Sequence, residues 1–147
     1  AAHDIEHTGV SSDLLTNVRH PLYHLFGSTS TFEKFHCMLG LFTLRYYSVF
    51  DTMPSNESNY CQALFETLVL ATDPKSVFSS MDEMAALRVE QGATTSELQA
   101  SLLTSIIRMA DISNASRPFV VARTHSLNVM REFFKTGDIE FLSTRSL

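Results

Sequence analysis

The sequence has no tryptophan, only two cysteines, four prolines and five glycines among its 147 residues. No apolar run approaches the roughly 18 residues of a membrane span, and the start lacks the basic and apolar regions of a signal peptide. Cys37 and Cys61 lie in apolar helical patterns without a motif spacing, which favours buried free thiols in a reducing compartment over a disulfide. We therefore expect a cytoplasmic protein with no membrane span.

Basic residues are also few. Lys and Arg number 11 against 16 Asp and Glu, which gives a net charge of -5, and they are scattered rather than clustered. A protein that binds a nucleic acid polymer or an anionic membrane usually carries a basic patch. The sequence predicts neither partner, and a phosphate substrate would need a metal ion to hold it.

Apolar residues at helical spacing are what the chain does contain. No stretch keeps an alternating apolar and polar pattern, so the sequence predicts an all-α fold, which we take as one domain over residues 1–147. Gly, Pro and Asn divide the chain into segments. The pattern predicts helices over Ser12 to Val18, Pro21 to Phe26, from Ser30 onward, Cys61 to Ala71, from Thr94 to Asp111, and from Pro118 to a stop at Gly137, with a loop from Thr52 to Asn59.

Three Ser or Thr residues precede a Glu by three positions, as in a capping box, in which the two side chains bond each other's backbone N–H groups. The pairs are Ser30 with Glu33, Ser80 with Glu83, and Thr94 with Glu97. Each comes directly before an apolar run. The spacing therefore predicts three helix starts.

The first group of residues that could bind a metal ion is His3, Asp4 and His7. If this segment is helical, the two histidines share one face and Asp4 lies beside them. Imidazole and carboxylate groups bind zinc, manganese, iron or magnesium, and a carboxylate can bridge two ions. A His-Asp pair also arises often by chance, so the group alone does not establish a metal site.

The second group is Asp111, Ser113 and Asn114, which follow a strongly apolar helix. A carboxylate at such a position is costly unless it is paired or binds a metal, so Asp111 is a candidate ligand. The alternative is that Asp111 and Asn114 cap the following turn, which is the commoner role of such residues.

These groups and the segments between them resemble the class I 3',5'-cyclic nucleotide phosphodiesterases, a family of HD-type metal phosphohydrolases. The resemblance rests on five ordered blocks that span nearly the whole chain. They are His3-Asp4-Ile5-Glu6-His7 with Gly9-Val10-Ser11, Ser30 to His36, Ala71-Thr72-Asp73, Ala110-Asp111-Ile112-Ser113-Asn114 with Arg117-Pro118, and Glu132-Phe133-Phe134 with Gly137-Asp138.

The resemblance implies a compact multi-helix fold, two divalent cations and a cyclic AMP or cyclic GMP substrate. His3, Asp4 and Asp111 would bind the tighter cation, usually zinc, and Asp4 would bridge to a second, usually magnesium or else manganese. Two cations that share a water lower its pKa and direct the resulting hydroxide at phosphorus, so the 3' ester bond opens to give a 5' nucleotide.

Five further positions receive roles from the same resemblance. His7, Glu33 and Thr72 would orient waters around the second cation, although Glu33 is also explained by the capping box. His36 would lie near the site, with a half-buried core histidine as the alternative. Asn114 would lie near the nucleotide base, with a turn residue as the alternative.

The chain departs from the family at several positions. Lys34 and Phe35 replace the usual Asn and His, Pro74 follows the Ala-Thr-Asp block, Ala115 replaces Pro, and His125 occupies a usual Trp position. None of these is an expected metal ligand. The departures therefore bear on substrate preference more than on the reaction.

The resemblance also implies that the chain is a central fragment of a catalytic domain truncated at both ends. The family's general-acid histidine and a further zinc-binding histidine would lie upstream, and the base-binding glutamine and aromatic clamp would lie downstream. We therefore expect no useful turnover from the isolated chain, because general acid catalysis typically contributes about 10²- to 10⁴-fold. Apolar surface left by missing helices would favour self-association.

Two alternatives remain. One is another HD-type metal phosphohydrolase, acting on nucleoside monophosphates or a dinucleotide, against which the blocks around Glu33, Asp111 and Phe133 argue. The other is a non-catalytic scaffold or binding fragment. The potential ligands His3, Asp4 and Asp111 argue that the parent protein is active.

Overall fold

The structure of the chain, a computed structural model, describes residues 2–76 and 95–144. Every regular element in these two ranges is helical, which confirms the predicted all-α fold. Short 3₁₀ turns occur at Ala2–Asp4, Pro74–Ser76 and Ile112–Ser116. The α-helices are α1 (Ser12–Asn17), α2 (Pro21–Phe26), α3 (Thr31–Tyr46), α4 (Ser55–Leu70), α5 (Thr95–Asp111) and α6 (Phe119–Thr144).

The predicted loop from Thr52 to Asn59 is too long, because α4 already begins at Ser55. Pro54 is the N-cap residue, with an extended backbone (φ -54°, ψ 146°). Proline is well suited to the start of a helix because it has no N–H group to leave unpaired. Glu57 in the first turn also interacts favourably with the positive end of the helix dipole.

The predicted stop at Gly137 is wrong, because α6 continues through it to Thr144. Glycine inside a helix costs about 1 kcal/mol relative to alanine. Contacts beyond Gly137 offset that cost: Ile139 packs on the buried core, and Asn17 Nδ2 of α1 donates to Glu140 Oε1 at 3.3 Å. Tertiary contacts, which a local pattern does not contain, thus extend the helix.

The predicted capping box of Ser30 and Glu33 is also wrong. Ser30 has a left-handed backbone (φ 49°, ψ 44°), and its side chain makes no capping bond to the start of α3. Its hydroxyl instead donates to Asp73 Oδ2 at 2.6 Å. The boxes predicted from Ser80 with Glu83 and from Thr94 with Glu97 include residues outside the described ranges.

The buried core lies where α1, α2 and α3 meet, around Val10, Leu14, Leu15 and Phe32. Beside it α3 and α4 pack closely: a Cβ placed on Gly40 would lie 2.5 Å from Phe65 Cζ. Glycine therefore allows this close approach.

Helices α5 and α6 bury far less. Their exposed apolar side chains include Leu102 and Ile106 on α5 and Phe119, Val120 and Phe133 on α6. The predicted self-association stays a prediction. Among the described residues, no helix combines the length and the hydropathy needed to cross a membrane.

Candidate metal and nucleotide site

The structure brings together His3, Asp4 and Asp111, which are far apart in the sequence. His3 and Asp4 lie in the first 3₁₀ turn, and Asp111 is the last residue of α5. His3 Nε2 lies 3.0 Å from Asp111 Oδ1 and 3.2 Å from Asp4 Oδ2. One potential ligand atom from each residue falls within 4.8 Å of the other two. We call these residues the ligand cluster.

Asp111 does not cap the turn that follows it. It occupies the N-cap position of the turn Ile112–Ser116, but its side chain makes no capping bond, and its carboxylate faces His3. The capping alternative for Asp111 is therefore wrong. Asp111 instead connects the end of α5 to the first turn of the chain.

The helical face predicted for His3 and His7 does not form. The 3₁₀ turn ends at Asp4, and Glu6 adopts a left-handed backbone (φ 60°) that reverses the chain. Gly9 has φ +68°, which glycine adopts easily, and its N–H donates to His7 Nδ1 at 3.1 Å. His7 stacks on Phe32 with ring centroids 4.7 Å apart. The chain reversal therefore keeps His7 near Asp4 without a helix.

His36 on α3 is buried, with 1% of its surface exposed. Its Nδ1 donates to the Ile5 carbonyl at 2.7 Å and so holds the loop that carries Asp4. Its Nε2 lies 3.9 Å from Asp4 Oδ1 and is a buried polar atom without a hydrogen-bond partner in the described chain. Burial lowers the pKa of His36, which favours a neutral ring.

Asp4 thus has two distinct neighbours. Its Oδ2 faces His3 in the ligand cluster, and its Oδ1 faces His36. A carboxylate with one oxygen directed to each side is suited to contact two cations at once. This arrangement fits the bridging role that the resemblance implies for Asp4.

A cavity of about 290 Å³ adjoins this second side of Asp4, and we call it the small cavity. Glu33, His7 and Thr72 line it together with Asp4, Asp111 and His36. Glu33 Oε2 is buried without a hydrogen-bond partner in the described ranges, and burial raises the pKa of the Glu33 carboxyl. The Thr72 hydroxyl donates to the Val69 carbonyl at 2.7 Å, which leaves its oxygen lone pairs available.

Asp73 and Lys75 also line the small cavity, although neither received a role in the site from the sequence, which marked Asp73 only as part of a resemblance block. Asp73 is buried. Its Oδ2 accepts a hydrogen bond from the Ser30 hydroxyl, and its Oδ1 accepts one from the Lys75 backbone N–H at 2.8 Å. The Asp-Pro pair at 73 and 74 was the available signal, because Asp often bonds a backbone N–H two residues later. The Lys75 side chain donates to Asp13 at 2.6 Å at the exposed edge.

A second cavity, of about 710 Å³, also adjoins the ligand cluster, and we call it the large cavity. His3, Asp4, His7 and Asp111 line it, and Asn114 does so as well. Its apolar wall consists of Phe65, Leu68, Val69, Ile107, Ala110 and Val129. His125 and Glu132 of α6 complete the lining. The sequence marked His125 as a departure that bears on substrate preference and Glu132 as part of a resemblance block, but it predicted no contact with the site for either.

The potential ligand atoms at this site suit a divalent cation. The ligand cluster offers one imidazole nitrogen and two carboxylates, a set that zinc, manganese and magnesium all accept to different degrees. The buried, unpartnered Glu33 Oε2 and His36 Nε2 supply a further indication, because such atoms cost about 1–3 kcal/mol each if nothing pairs with them. A hydrated cation beside Asp4 would supply the missing partners.

An all-helical chain with a His, Asp and Asp cluster between two cavities has the features of a metal-dependent phosphohydrolase. The family model for 3'5'-cyclic nucleotide phosphodiesterases matches residues 1–144. The chain therefore belongs to the class I cyclic nucleotide phosphodiesterase family, and its fold is part of that family's catalytic-domain fold.

Three similar proteins illustrate the relationship. The rat protein 3',5'-cyclic-AMP phosphodiesterase 4C is 27% identical over 151 residues, which cover 95% of this chain and 28% of the rat protein. The phosphodiesterase domain of a RhoPDE fusion protein from Salpingoeca rosetta superposes with a TM-score of 0.88 at 20% identity, over 97% of this chain and 47% of that one. LmjPDEB1 in complex with IBMX gives a TM-score of 0.84 at 25% identity, over 95% of this chain and 43% of that one. The chain spans less than half the length of each.

Proposed function

We propose that this chain contributes the metal-binding half of a domain that hydrolyses the 3' ester bond of cyclic AMP or cyclic GMP. The observation that carries the proposal is the convergence of His3 and Asp4 with Asp111, more than a hundred residues away, on one point between two cavities. Family membership and the names of the relatives support the substrate class.

In this proposal His3, Asp4 and Asp111 hold the first cation, with zinc as the expected ion. Asp4 also contacts a second cation, expected to be magnesium or manganese, through the oxygen that faces His36 and the small cavity. Bound cations would polarise the phosphate and lower the pKa of a water between them.

The remaining residues position that chemistry. Glu33, His7 and Thr72 line the small cavity and are proposed to orient the waters of the second cation by hydrogen bonds. His36 holds the loop between Asp4 and His7 through the Ile5 carbonyl. The neutral form of His36, favoured by burial, leaves Nε2 able to accept a hydrogen bond from such a water.

The large cavity is the proposed place for the nucleotide. Its volume lies within the range of roughly 300–1,000 Å³ that small-molecule sites occupy, and the ligand cluster lines one part of it. The phosphate would then lie at the ligand cluster, and the base would extend along the apolar wall toward Asn114. This placement gives Asn114 a role in binding the substrate rather than in the turn alone.

The test combines metal content with hydrolysis. Zinc, magnesium and manganese are measured in this chain after dialysis, and cyclic AMP and cyclic GMP hydrolysis is measured in the longest natural chain that contains it. We expect Asp4→Asn to abolish hydrolysis and reduce bound metal, and Asp138→Asn, an exposed change on α6, to alter neither. Hydrolysis of both nucleotides at the original rate by Asp4→Asn would refute the proposal.

A further inference from the structure

Arg108 of α5 joins two helix ends that both lead into the site. Its Nε donates to the carbonyl of Ala71, the residue that ends α4, at 2.5 Å. The next residue, Thr72, lines the small cavity, and Asp111, one turn beyond Arg108 on α5, lines both cavities. The hydrogen bond of Arg108 therefore links the segment that carries Thr72 to the helix that carries Asp111.

The Ala71 carbonyl needs a partner from outside its own helix. In a continuing helix, a carbonyl accepts the N–H of the residue three or four positions farther along. Three positions on lies Pro74, which has no N–H, and four positions on lies Lys75, whose N–H donates to Asp73 Oδ1 instead. Neither usual backbone donor thus serves this carbonyl, and Arg108 replaces them.

The charge of Arg108 suits this position as well. The carboxyl end of a helix carries a partial negative charge, and the last turn of α4 contains no basic residue of its own. Arg108 is half-buried, and a hydrogen bond from a guanidinium group is stronger than one between neutral groups. We therefore expect this bond to limit the movement of α5 relative to the end of α4.

Asp111 needs support that does not depend on its contact with His3. Asp111 is half-buried, and its Oδ1 lies 3.0 Å from His3 Nε2. That nitrogen would itself bind the cation in the proposed function, so the direct pairing of the two side chains would be lost when the ion binds. The bond from Arg108 to Ala71 lies outside the ligand cluster and can persist with the ion in place.

We propose that Arg108 is a positioning residue, which holds Asp111 and Thr72 at the spacing that the bound cations require. The inference deepens the proposed function and rests on it, since it assumes that Asp111 binds a cation. Ligands bind a metal well only when the surrounding residues fix their geometry, and such supporting contacts commonly change metal affinity about 10- to 100-fold. Because coupling is reciprocal, a bound ion should in turn strengthen the bond of Arg108 to Ala71.

The test measures manganese binding to this chain by calorimetry in two variants with side chains of similar length. Arg108→Gln keeps an N–H donor at the same number of bonds from the backbone as Nε, whereas Arg108→Met places a methyl group there. We expect Arg108→Met to weaken manganese binding about 10- to 100-fold and Arg108→Gln to recover most of that loss. A role in stability alone would lower the thermal midpoint of the metal-free chain without changing the manganese affinity of the folded chain.

The matched control is Arg123→Met, the same substitution at an exposed arginine of α6 that lines neither cavity. It should leave the manganese affinity unchanged. If Arg108→Met does not fold, hydrogen exchange of the Arg108 Nε–H in the original chain replaces it. Slower exchange with bound zinc supports the coupling, and equal exchange with and without zinc overturns it.

The outcomes separate the two proposals. If the original chain binds manganese and Arg108→Met binds it as tightly, or if Arg108→Gln loses as much affinity as Arg108→Met, the inference about Arg108 is wrong while the proposed function stands. If the folded original chain binds neither manganese nor zinc, the ligand cluster in the proposed function is wrong, and the inference falls with it.

Discussion

The two described parts of the molecule differ sharply in how much they bury. Residues 2–76 contain the core of Val10, Leu14, Leu15 and Phe32 and the close contact of α3 with α4. In residues 95–144, Thr136 alone among the described residues falls in the buried class, while large apolar side chains of α5 and α6 are exposed.

The site nevertheless requires both parts. The packed part supplies His3, Asp4 and Glu33, and the exposed part supplies Asp111 and His125. Between the parts, Arg108 Nε donates to the Ala71 carbonyl at 2.5 Å, and His3 pairs with Asp111 at 3.0 Å. These bonds, together with the one from Asn17 to Glu140, position one half of the site against the other, and a bound cation would add a further connection.

The largest expected effect follows from removing that connection with Asp111→Asn. An amide lacks the charge of a carboxylate, so we expect metal affinity to fall by at least about 100-fold, more than changes in outer-shell residues typically cause. Added zinc or manganese should raise the thermal midpoint of the original chain and not that of the variant. At a metal concentration 100 times the dissociation constant, the bound ion adds about 2.7 kcal/mol to the free energy of unfolding. Calorimetric metal titration and thermal melts measure both effects.

Asp138→Asn is the control, because it removes the same charge from an exposed position of α6. Equal metal affinity in Asp111→Asn and the original chain would show that the pairing of His3 with Asp111 is only structural.

The thiols probe how tightly the first part is packed. Burial raises the pKa of the Cys37 thiol from 9.0 to about 11, whereas Cys61 is only half-buried. Two pKa units lower the thiolate fraction at pH 8 about 100-fold. We expect Cys61 to be alkylated by iodoacetamide far faster than Cys37, as measured by mass spectrometry of the peptides. Equal rates would mean that α3 and α4 open readily; in urea, where the packing is lost, the rates should converge.

Both cysteines are free in the structure, as the sequence predicted, although Cys61 is only half-buried. The helices with strong apolar spacing that fall in the described ranges were also predicted, with errors at some of their ends. Two of the errors, at Ser30 and at Gly137, occur where distant contacts outweigh local patterns. The Ser30 hydroxyl donates a hydrogen bond to Asp73 instead of capping α3. The packing of Ile139 on the core and the hydrogen bond of Glu140 with Asn17 stabilise α6 beyond Gly137. Such partners lie more than 40 residues away, so local spacing contains no signal for them.

The candidate site shows the same limit. The sequence indicated His3, Asp4 and Asp111 as candidate metal ligands, because few residue types bind metals. The sequence marked His125 as a departure that bears on substrate preference, but its place in the cavity lining depends on which face α6 turns toward the large cavity. That orientation is set by packing at Thr136 and Ile139, eleven or more residues farther along the helix.

Glu33→Gln is expected to reduce metal affinity or hydrolysis less than Asp111→Asn does. If Glu33 orients water at the second cation, the variant should lose about 10- to 100-fold in manganese affinity or in hydrolysis by the longer chain. It should not lose stability, because Glu33 makes no capping bond to Ser30 in the structure. Urea denaturation measures stability, and Glu66→Gln, an exposed change on α4, serves as the control. A destabilised Glu33→Gln with unchanged metal affinity would favour the structural role.

The pH dependence gives a further check on Glu33. Burial raises the pKa of its carboxyl above the ordinary value of 4.5, so the folded chain binds this proton more tightly than the unfolded chain. The associated stability is present below pH 4.5 and is lost as the pH rises through the folded-state pKa. In the metal-free chain, stability should fall over that window relative to Glu33→Gln, in which this proton is absent. A parallel pH profile in the two proteins would contradict the burial of a titrating Glu33.

The smallest effects compare one glycine in each part. In the packed part, the Cβ of Gly40→Ala would collide with Phe65, so we expect a loss of about 1–3 kcal/mol in the free energy of unfolding. In the exposed part, a Cβ at Gly137 meets nothing within 4 Å, and alanine favours the helix, so Gly137→Ala should gain up to about 1 kcal/mol. Urea denaturation of the two variants measures both signs. Because the substitution is identical, opposite signs can arise only from the surroundings, and a loss at Gly137 would mean that α6 is covered in solution.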